Sequence, residues 1–489
     1  MKILMVSSEC YPYAKTGGMA DVVGDLVKSL TSMGHEVSVI LPFYRDVKNY
    51  LNLENINIDK INISIDMKTD SFLFEGSVLK WEVNGCCFYA IQNDRFFDRD
   101  FLYGDSGGDY FDNSKRFAFF CQGVVRFIDS FSDYFDIVHC HDWQTGLVPV
   151  WLKKGIDTLW GKRRSAFSCR TLLTIHNLAY QGVFDRQEMN FINEKKPFYD
   201  YLQMNGKVNF LKGGLLGADS ISTVSPQYVK EIQEKALGHG LHRIMILRSQ
   251  NLWGILNGID IEHWDSQKDI WITKNFDKDS LSNKEENKNC LYEKMNWEKS
   301  DDLLLGMVCR LVTHKGLDLL EEGFDRLMSL SIRFILIGTG DAYWCDFFKR
   351  MEKKYHNFRC FLSYEDRLAH QLYSSIDGFL MPSKFEPCGL TQMIAMRYGA
   401  IPLVHKIGGL ANTVEHWSEK DQSSKGKGFV MQKYDVEDLL INIENMLLLY
   451  QDKRKWEVLV RKNMSLDFSW KSAAQKYLAL YRYLVTITP

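Results

Sequence analysis

The chain opens on a run of apolar residues, Ile3-Leu4-Met5-Val6, of the kind that fills a parallel strand covered on both faces. Gly17-Gly18 breaks the pattern, and over residues 19–30 the apolar period changes. Val22, Val23, Leu26, Val27 and Leu30 then fall on one side of a helix. Gly34 closes that helix, and Val37-Ser38-Val39-Ile40-Leu41 reads as the next strand. Strand, helix and strand in this order make a βαβ unit. Short apolar runs at 137–138, 172–175 and 221–224 continue the series, each ending in polar residues. In open α/β sheets, ligands gather at those carboxyl ends.

A second series begins near residue 303. Strands are expected at 304–308, 334–337, 360–362, 379–381 and 402–404, with helices at 316–327, 368–375 and 390–398 between them. The predicted fold class is therefore α/β, with two doubly wound, Rossmann-like domains facing a central cleft. Between the two series, residues 274–299 are rich in Asn, Lys and Glu and read as surface material with a short helix at 287–295. One echo joins the halves: Gly17-Gly18-Met19-Ala20-Asp21-Val22-Val23 resembles Gly408-Gly409-Leu410-Ala411-Asn412-Thr413-Val414. Each would open a helix in its own half.

Composition narrows the partners. The 489 residues suit two or three domains, and 45% are hydrophobic, enough for substantial cores. Lys plus Arg total 60 against 62 for Asp plus Glu, and the formal charge of −2 gives no reason to expect nucleic acid or an anionic membrane. No stretch reaches the roughly 20 apolar residues of a membrane span. The first six residues resemble a signal peptide only until Glu9 and Tyr11-Pro12 interrupt them, which points to a cytosolic chain. Eleven scattered cysteines without a CxxC pair read as reduced thiols. His139-Cys140-His141-Asp142 has the residue types of a metal site. It reads better as a strand end, where alternate side chains point to opposite faces.

Several strand ends carry residues suited to a sugar phosphate. Lys15-Thr16-Gly17-Gly18 sets paired glycines and a cation at a helix start, where free N–H groups suit phosphate. The same residues would also make an ordinary turn, since the spacing matches neither GxGxxG nor a P-loop. His141-Asp142-Trp143 and His176-Asn177 follow two strands and offer polar groups to sugar hydroxyls, with Trp143 and Tyr180 as stacking surfaces or core aromatics. Arg310 and Lys315, five residues apart across a strand–helix turn, could converge on one diphosphate or stand as two solvated cations. In Glu386-Pro387-Cys388-Gly389-Leu390-Thr391, Glu386 would accept from sugar hydroxyls, and the Leu390 and Thr391 N–H groups would face an anion. Cys388 reads as a small packed residue, because no base stands beside it.

These residues, in this order, resemble the bacterial glycogen synthase and plant starch synthase family over nearly the whole chain. The likeness rests on Lys15 to Asp21, His141-Asp142-Trp143-Gln144-Thr145-Gly146-Leu147, and His176-Asn177-Leu178-Ala179-Tyr180-Gln181-Gly182. It continues through Thr223-Val224-Ser225-Pro226, Asn257-Gly258-Ile259-Asp260, Arg310-Leu311 with Lys315-Gly316, Pro382-Ser383, Glu386 to Gln392, and Gly408-Gly409-Leu410. It implies a GT-B fold: residues 1–252 on the glucan acceptor side, 253–466 on the sugar-nucleotide side, and 467–489 as a helix returning to the first domain. It implies glucose transfer from ADP-glucose, or from UDP-glucose as in some members, to an α-1,4-glucan with retention of configuration. No metal or other cofactor is expected.

By the same resemblance, Arg310 and Lys315 would hold the diphosphate, helped by Thr391 and the Gly17-Gly18 backbone, with Lys15 completing the cradle. Glu386 and Asp142 would bind the transferred glucose, His176 would sit over it, Asn257 would touch the sugar, and Tyr364 would lie against the base. Asp21, Asn177, Cys388, Gly389 and Leu390 complete the expected substrate-binding set. The chain departs from the family's usual residues at Met19, Asn412 and Cys309, and carries Phe97 where some members have tyrosine. Without a carboxylate pair of the glycosidase kind, retention implies front-side substitution in which the leaving phosphate takes the acceptor's proton. The alternatives are a related transferase with another acceptor, or an inactive glucan-binding protein.

Overall fold

The computed structural model describes residues 1–68, 73–105, 107–131, 134–154, 168–189, 196–363, 365–419 and 425–486. The chain divides into two compact units, Met1–Leu256 with Trp470–Pro489, and Asn257–Ser469.

Among the described residues of the first unit, nine strands share one sheet: β1 (Lys2–Val6), β2 (Glu36–Pro42), β3 (Asp59–Lys68), β4 (Leu73–Val83), β5 (Cys86–Gln92), β6 (Ile137–His141), β7 (Arg170–Ile175), β8 (Ser220–Thr223) and β9 (Leu252–Gly254). Their order is β9-β8-β7-β6-β1-β2-β5-β4-β3. From β9 to β5 every neighbouring pair is parallel, whereas β3, β4 and β5 form an antiparallel flank for which the apolar pattern predicts nothing. Strand β1 is central and buried from Ile3 to Val6, as an apolar run covered on both faces requires. The helix Gly18–Ser32 buries Met19, Ala20, Val22, Val23, Leu26, Val27 and Leu30, the face expected from the spacing. The helix Trp470–Thr486 packs against it. Truncating a wholly buried leucine such as Leu26 to alanine would cost about 2–5 kcal/mol.

The second unit holds β10 (Leu303–Val308), β11 (Ile332–Ile337), β12 (Phe358–Phe361), β13 (Gly378–Met381), β14 (Ile401–His405) and β15 (Phe429–Met431). Their order is β12-β11-β10-β13-β14-β15, with every neighbouring pair parallel. The order reverses direction at β10 and β13, the kind of switch point where doubly wound sheets bind ligands. One apolar core runs from Leu303, Leu305 and Met307 through Phe324 and Phe334 to Ile443 and Met446.

The polar stretch after residue 273 departs from expectation. It forms a longer and earlier helix, Ser282–Lys294, with Lys284 and Lys288 buried rather than solvated. Lys284 Nζ donates to the carbonyls of Tyr373, Ser374 and Tyr398 at 3.1, 3.2 and 2.7 Å. Burial lowers its pKa to about 7. Lys288 Nζ pairs with Asp377 at 2.8 Å and donates to the Tyr450 hydroxyl at 2.9 Å. A buried polar head is tolerated when such partners surround it, so these two lysines stitch the helix to the unit.

Candidate functional site

In the first unit the loop after β1 is organised by Glu9, to which the sequence reading gives no place in the site. Glu9 is 3% exposed. Its carboxylate accepts from Thr16 N at 2.6 Å, Thr16 Oγ1 at 2.8 Å, Gly17 N at 3.1 Å and the Tyr103 hydroxyl at 2.7 Å. The Gly17 N–H is therefore committed to Glu9 and is not free for a diphosphate, which corrects the expectation that both glycine N–H groups serve the anion. Gly18 opens its helix without a side-chain cap. Lys15 Nζ pairs with Asp21 at 2.8 Å, both partly exposed.

At the ends of β6 and β7 the chain brings Asp142, His176 and Asn177 together. Asp142 has φ 54° and ψ −171°. Such backbone costs about 1–3 kcal/mol in a non-glycine residue and recurs at functional sites. It is held by Asp142 N donating to Thr174 O at 2.9 Å and by the His176 N–H donating to Asp142 Oδ1 at 2.7 Å. Burial raises the Asp142 pKa to about 7, against the opposing pull of the His176 and Asn177 N–H groups on its charged form. Burial also lowers His176 to about 3, so the ring is neutral at physiological pH. Asn177 Oδ1 accepts from Ala179 N at 3.0 Å. Trp143 packs edge-on to Phe117 at 4.9 Å and is a core aromatic, whereas Tyr180 is 57% exposed. His139 and His141 share a face of β6, with ring centroids 4.2 Å apart.

The second unit gathers its candidates at the ends of β10 and β13. Lys315 Nζ lies 2.5 Å from Glu386 Oε2, with side chains 16% and 11% exposed. Ser383 Oγ donates to the same oxygen at 3.2 Å. The two loops are tied by Lys384 N donating to His314 O at 2.9 Å. Gly316 has φ +84°, and a Cβ there would stand 2.3 Å from Pro382 O, so only glycine lets the loops meet. Arg310 is exposed, and its guanidinium has no protein partner among the described residues. Asn257 is 7% exposed with Oδ1 unpartnered among those residues. Burial pushes the Cys388 thiol up to about 12, against the pull of an Asn257 backbone contact, so it is no thiolate nucleophile. Thr391 begins the helix Thr391–Arg397, which Leu390 precedes without a side-chain cap, and its hydroxyl lies 3.4 Å from Met381 Sδ. The Gly389 backbone is left-handed at φ +73°. Tyr364 lies outside the described residues.

This arrangement sets cations and a carboxylate at a sheet switch point, with buried polar groups at the strand ends of the other unit. Residues 2–246 match the family described as starch synthase catalytic domain, and residues 292–462 match glycosyl transferases group 1. A glycogen synthase of Geotalea daltonii is 41% identical over 99% of both chains. The chain belongs to the glycogen synthase and starch synthase family. It is a glucosyltransferase with the GT-B fold.

Other relatives extend the same finding. A glycogen synthase of Pseudothermotoga lettingae is 39% identical over 99% of this chain and 98% of its own. The catalytic domain of starch synthase IV from Arabidopsis thaliana, solved bound to ADP and acarbose, is 31% identical with a TM-score of 0.85 over 99% of both chains. A sucrose-phosphate synthase from Thermosynechococcus elongatus, 15% identical with a TM-score of 0.61 over 99% of this chain and 98% of its own, shares the fold. Among the described residues no helix is long and apolar enough to cross a membrane. The sequence signal that could have found Glu9 is an acid placed three residues beyond β1, on the strand-end loop where ligand-site residues collect.

Proposed function

We propose that this glucosyltransferase takes glucose from ADP-glucose and adds it to the non-reducing end of an α-1,4-glucan, with retention and without a metal. The observation that carries the reading is the Lys315–Glu386 pair at 2.5 Å with unpartnered Arg310 close by in sequence, all on loops leaving parallel strands. Arg310 and Lys315 neutralise the leaving diphosphate, and Thr391 at its helix start assists. Glu386 accepts from glucose hydroxyls and Asn257 offers its free Oδ1 to the same sugar. Cys388, Gly389 and Leu390, on the same loop as Glu386, serve the same substrate, and Tyr364 serves the base. In the first unit, Lys15, Gly18, Asp21, Asp142, His176 and Asn177 serve the substrates. The second unit is thus the donor side and the first the glucan side.

The acceptor's O4 forms the new bond to glucose C1 while the C1–O bond to the diphosphate breaks. The acceptor proton passes to the departing phosphate oxygen, so the enzyme's work is positioning and charge stabilisation. A nucleotide sugar and a soluble glucan as substrates support a cytoplasmic location. The test is donor competition between ADP-glucose and UDP-glucose on a glucan primer, with excess chelator in a parallel arm. Preference for ADP-glucose and activity under chelation are expected. UDP-glucose preference would overturn the donor assignment, and loss restored by magnesium would overturn the metal-free reading.

A further inference from the structure

Three histidines at the ends of β6 and β7 form a chain inside the first unit, His139 and His141 wholly buried and His176 half-buried. His139 is anchored at both ring nitrogens. Nδ1 lies 2.7 Å from the Tyr481 hydroxyl, and Nε2 lies 2.6 Å from Thr174 Oγ1, which continues to Ser222 Oγ at 2.6 Å. His141 is wholly buried and packs against that fixed ring. It makes one ring hydrogen bond, from Nδ1 to His176 Nε2 at 3.0 Å, and its buried Nε2 has no partner among the described residues. His176 lies beyond it at 5.3 Å between centroids, and its Nδ1 has no protein partner among the described residues.

Burial keeps both rings neutral. A neutral imidazole carries one N–H and one lone pair, so one ring must donate across the 3.0 Å contact and the other accept. If His176 donated from Nε2, the buried Nε2 of His141 would carry an N–H with no acceptor. If His141 donates from Nδ1, its Nε2 is a bare lone pair. An orphaned buried donor is the rarer and costlier arrangement. The second assignment follows, and it places the remaining proton of His176 on Nδ1.

We propose that His141 is a positioning residue for glucosyl transfer: by donating its Nδ1–H to His176 Nε2, it fixes His176 as the Nδ1–H tautomer, so that this ring meets the sugar as a hydrogen-bond donor. The proposal rests on the transferase reading above. It gives the unpartnered Nδ1 of His176 a defined polarity toward a hydroxyl oxygen and denies it the role of base at that nitrogen. His139, tied to Tyr481 and Thr174, keeps the His141 ring in place.

Long-range proton–nitrogen NMR of the full chain labelled with 15N-histidine reads the tautomer directly, the His176 signals being assigned by their loss in His176→Gln. A protonated Nδ1 and an unprotonated Nε2 are expected, and a protonated Nε2 overturns the proposal. In kinetics, His141→Phe should lower kcat roughly tenfold to a hundredfold, the range for removing a group that orients a functional histidine, with little change in KM for the sugar nucleotide. His141→Asn, whose amide N–H falls near the Nδ1 position, should recover most of the loss. Unchanged kcat in a folded His141→Phe variant, or an Asn variant as impaired as Phe, would also overturn it. Should His141→Phe not fold, the spectrum of the unaltered chain still decides. Failure of the unaltered chain to extend glucan would strike the transferase reading instead, with the tautomer still readable.

Discussion

Gly17-Gly18 in the first unit and Gly408-Gly409 in the second each stand at the start of a helix, Gly18–Ser32 and Gly408–Thr413, yet their surroundings are opposite. A Cβ added at Gly17 or Gly18 would meet nothing within 4 Å. At Gly408 it would stand 1.9 Å from Glu386 O, and at Gly409 1.9 Å from Cys388 O. Gly409 N donates to Glu386 O at 3.2 Å and to Pro387 O at 3.0 Å. The second pair is glycine so that a helix start can press against the loop carrying Glu386. The first pair faces open space beside Lys15 and Asp21, where missing side chains leave room for something outside the chain. The charges differ in the same sense. Asp142, His141 and His176 are buried groups whose charged forms burial disfavours, suited to neutral hydroxyls. The second unit instead pairs Lys315 with Glu386 and leaves Arg310 exposed, cations suited to a diphosphate and a carboxylate suited to sugar hydroxyls.

The largest effect should come from the packed pair. Gly408→Ala and Gly409→Ala force a side chain into backbone, and Gly408 sits at φ +44°, so a loss on the order of 3 kcal/mol or more is expected. Hydrogen exchange should show the loss confined to the second unit. An unshifted melting profile would break the comparison at its root. Next come the cations: Lys315→Ala and Arg310→Ala should each lower turnover about a hundredfold, roughly 3 kcal/mol of transition-state stabilisation. Arg310→Lys should not fully recover, because the fork of donors is lost. Near-normal turnover in folded alanine variants would remove the diphosphate role. Gly18→Ala should change stability by no more than about 0.5 kcal/mol, since the added methyl meets open space. Turnover should nevertheless fall about tenfold if a ligand's close approach requires that space. Full activity would mean the open glycine pair is only a turn.

The parallel strands were legible because buried strands are short unbroken apolar runs. β1, β7, β10 and β11 were all expected from that signal, and the helix after Gly18 from its period. The flank β3–β4–β5 was not, because strands such as Asp59–Lys68 carry charges between their apolar positions and take their partners from an antiparallel neighbour. Lys284 and Lys288 misled for a related reason. A lysine is read as solvated unless its acceptors are known, and theirs come from residues 373–398 and from Asp377 and Tyr450. At the candidate site, Lys315 and Glu386 could be proposed from motif and strand-end position, but their contact joins residues 71 apart in sequence. Glu9 stayed hidden because one of its donors, Tyr103, lies 94 residues away.

The smallest expected effect tests the buried side of the comparison through pH. The folded-state pKa of Asp142 is raised from 3.8 to about 7. Between those values the native chain binds more protons than the unfolded chain, so this residue's contribution to stability falls as pH rises across the window. The penalty is absent below the unfolded value and fully present above the folded one. Asp142→Asn cannot ionise and should escape it, although the new amide brings N–H groups that the buried site must satisfy. The net gain should therefore be about 1 kcal/mol above pH 7 rather than the full linkage value. Near pH 4 the ionisation penalty is gone and only the amide's cost remains, so the variant should there be the less stable chain, read as the difference between the two melting temperatures across the pH series. Turnover should fall most above pH 7, where the carboxylate that binds sugar hydroxyls has been replaced by a weaker acceptor. A variant that gains equally at pH 4 and pH 8 would show that Asp142 is not an ionisation-sensitive buried group. The contrast between a desolvated first unit and a charged second one would then lose its electrostatic half while the packing half stood.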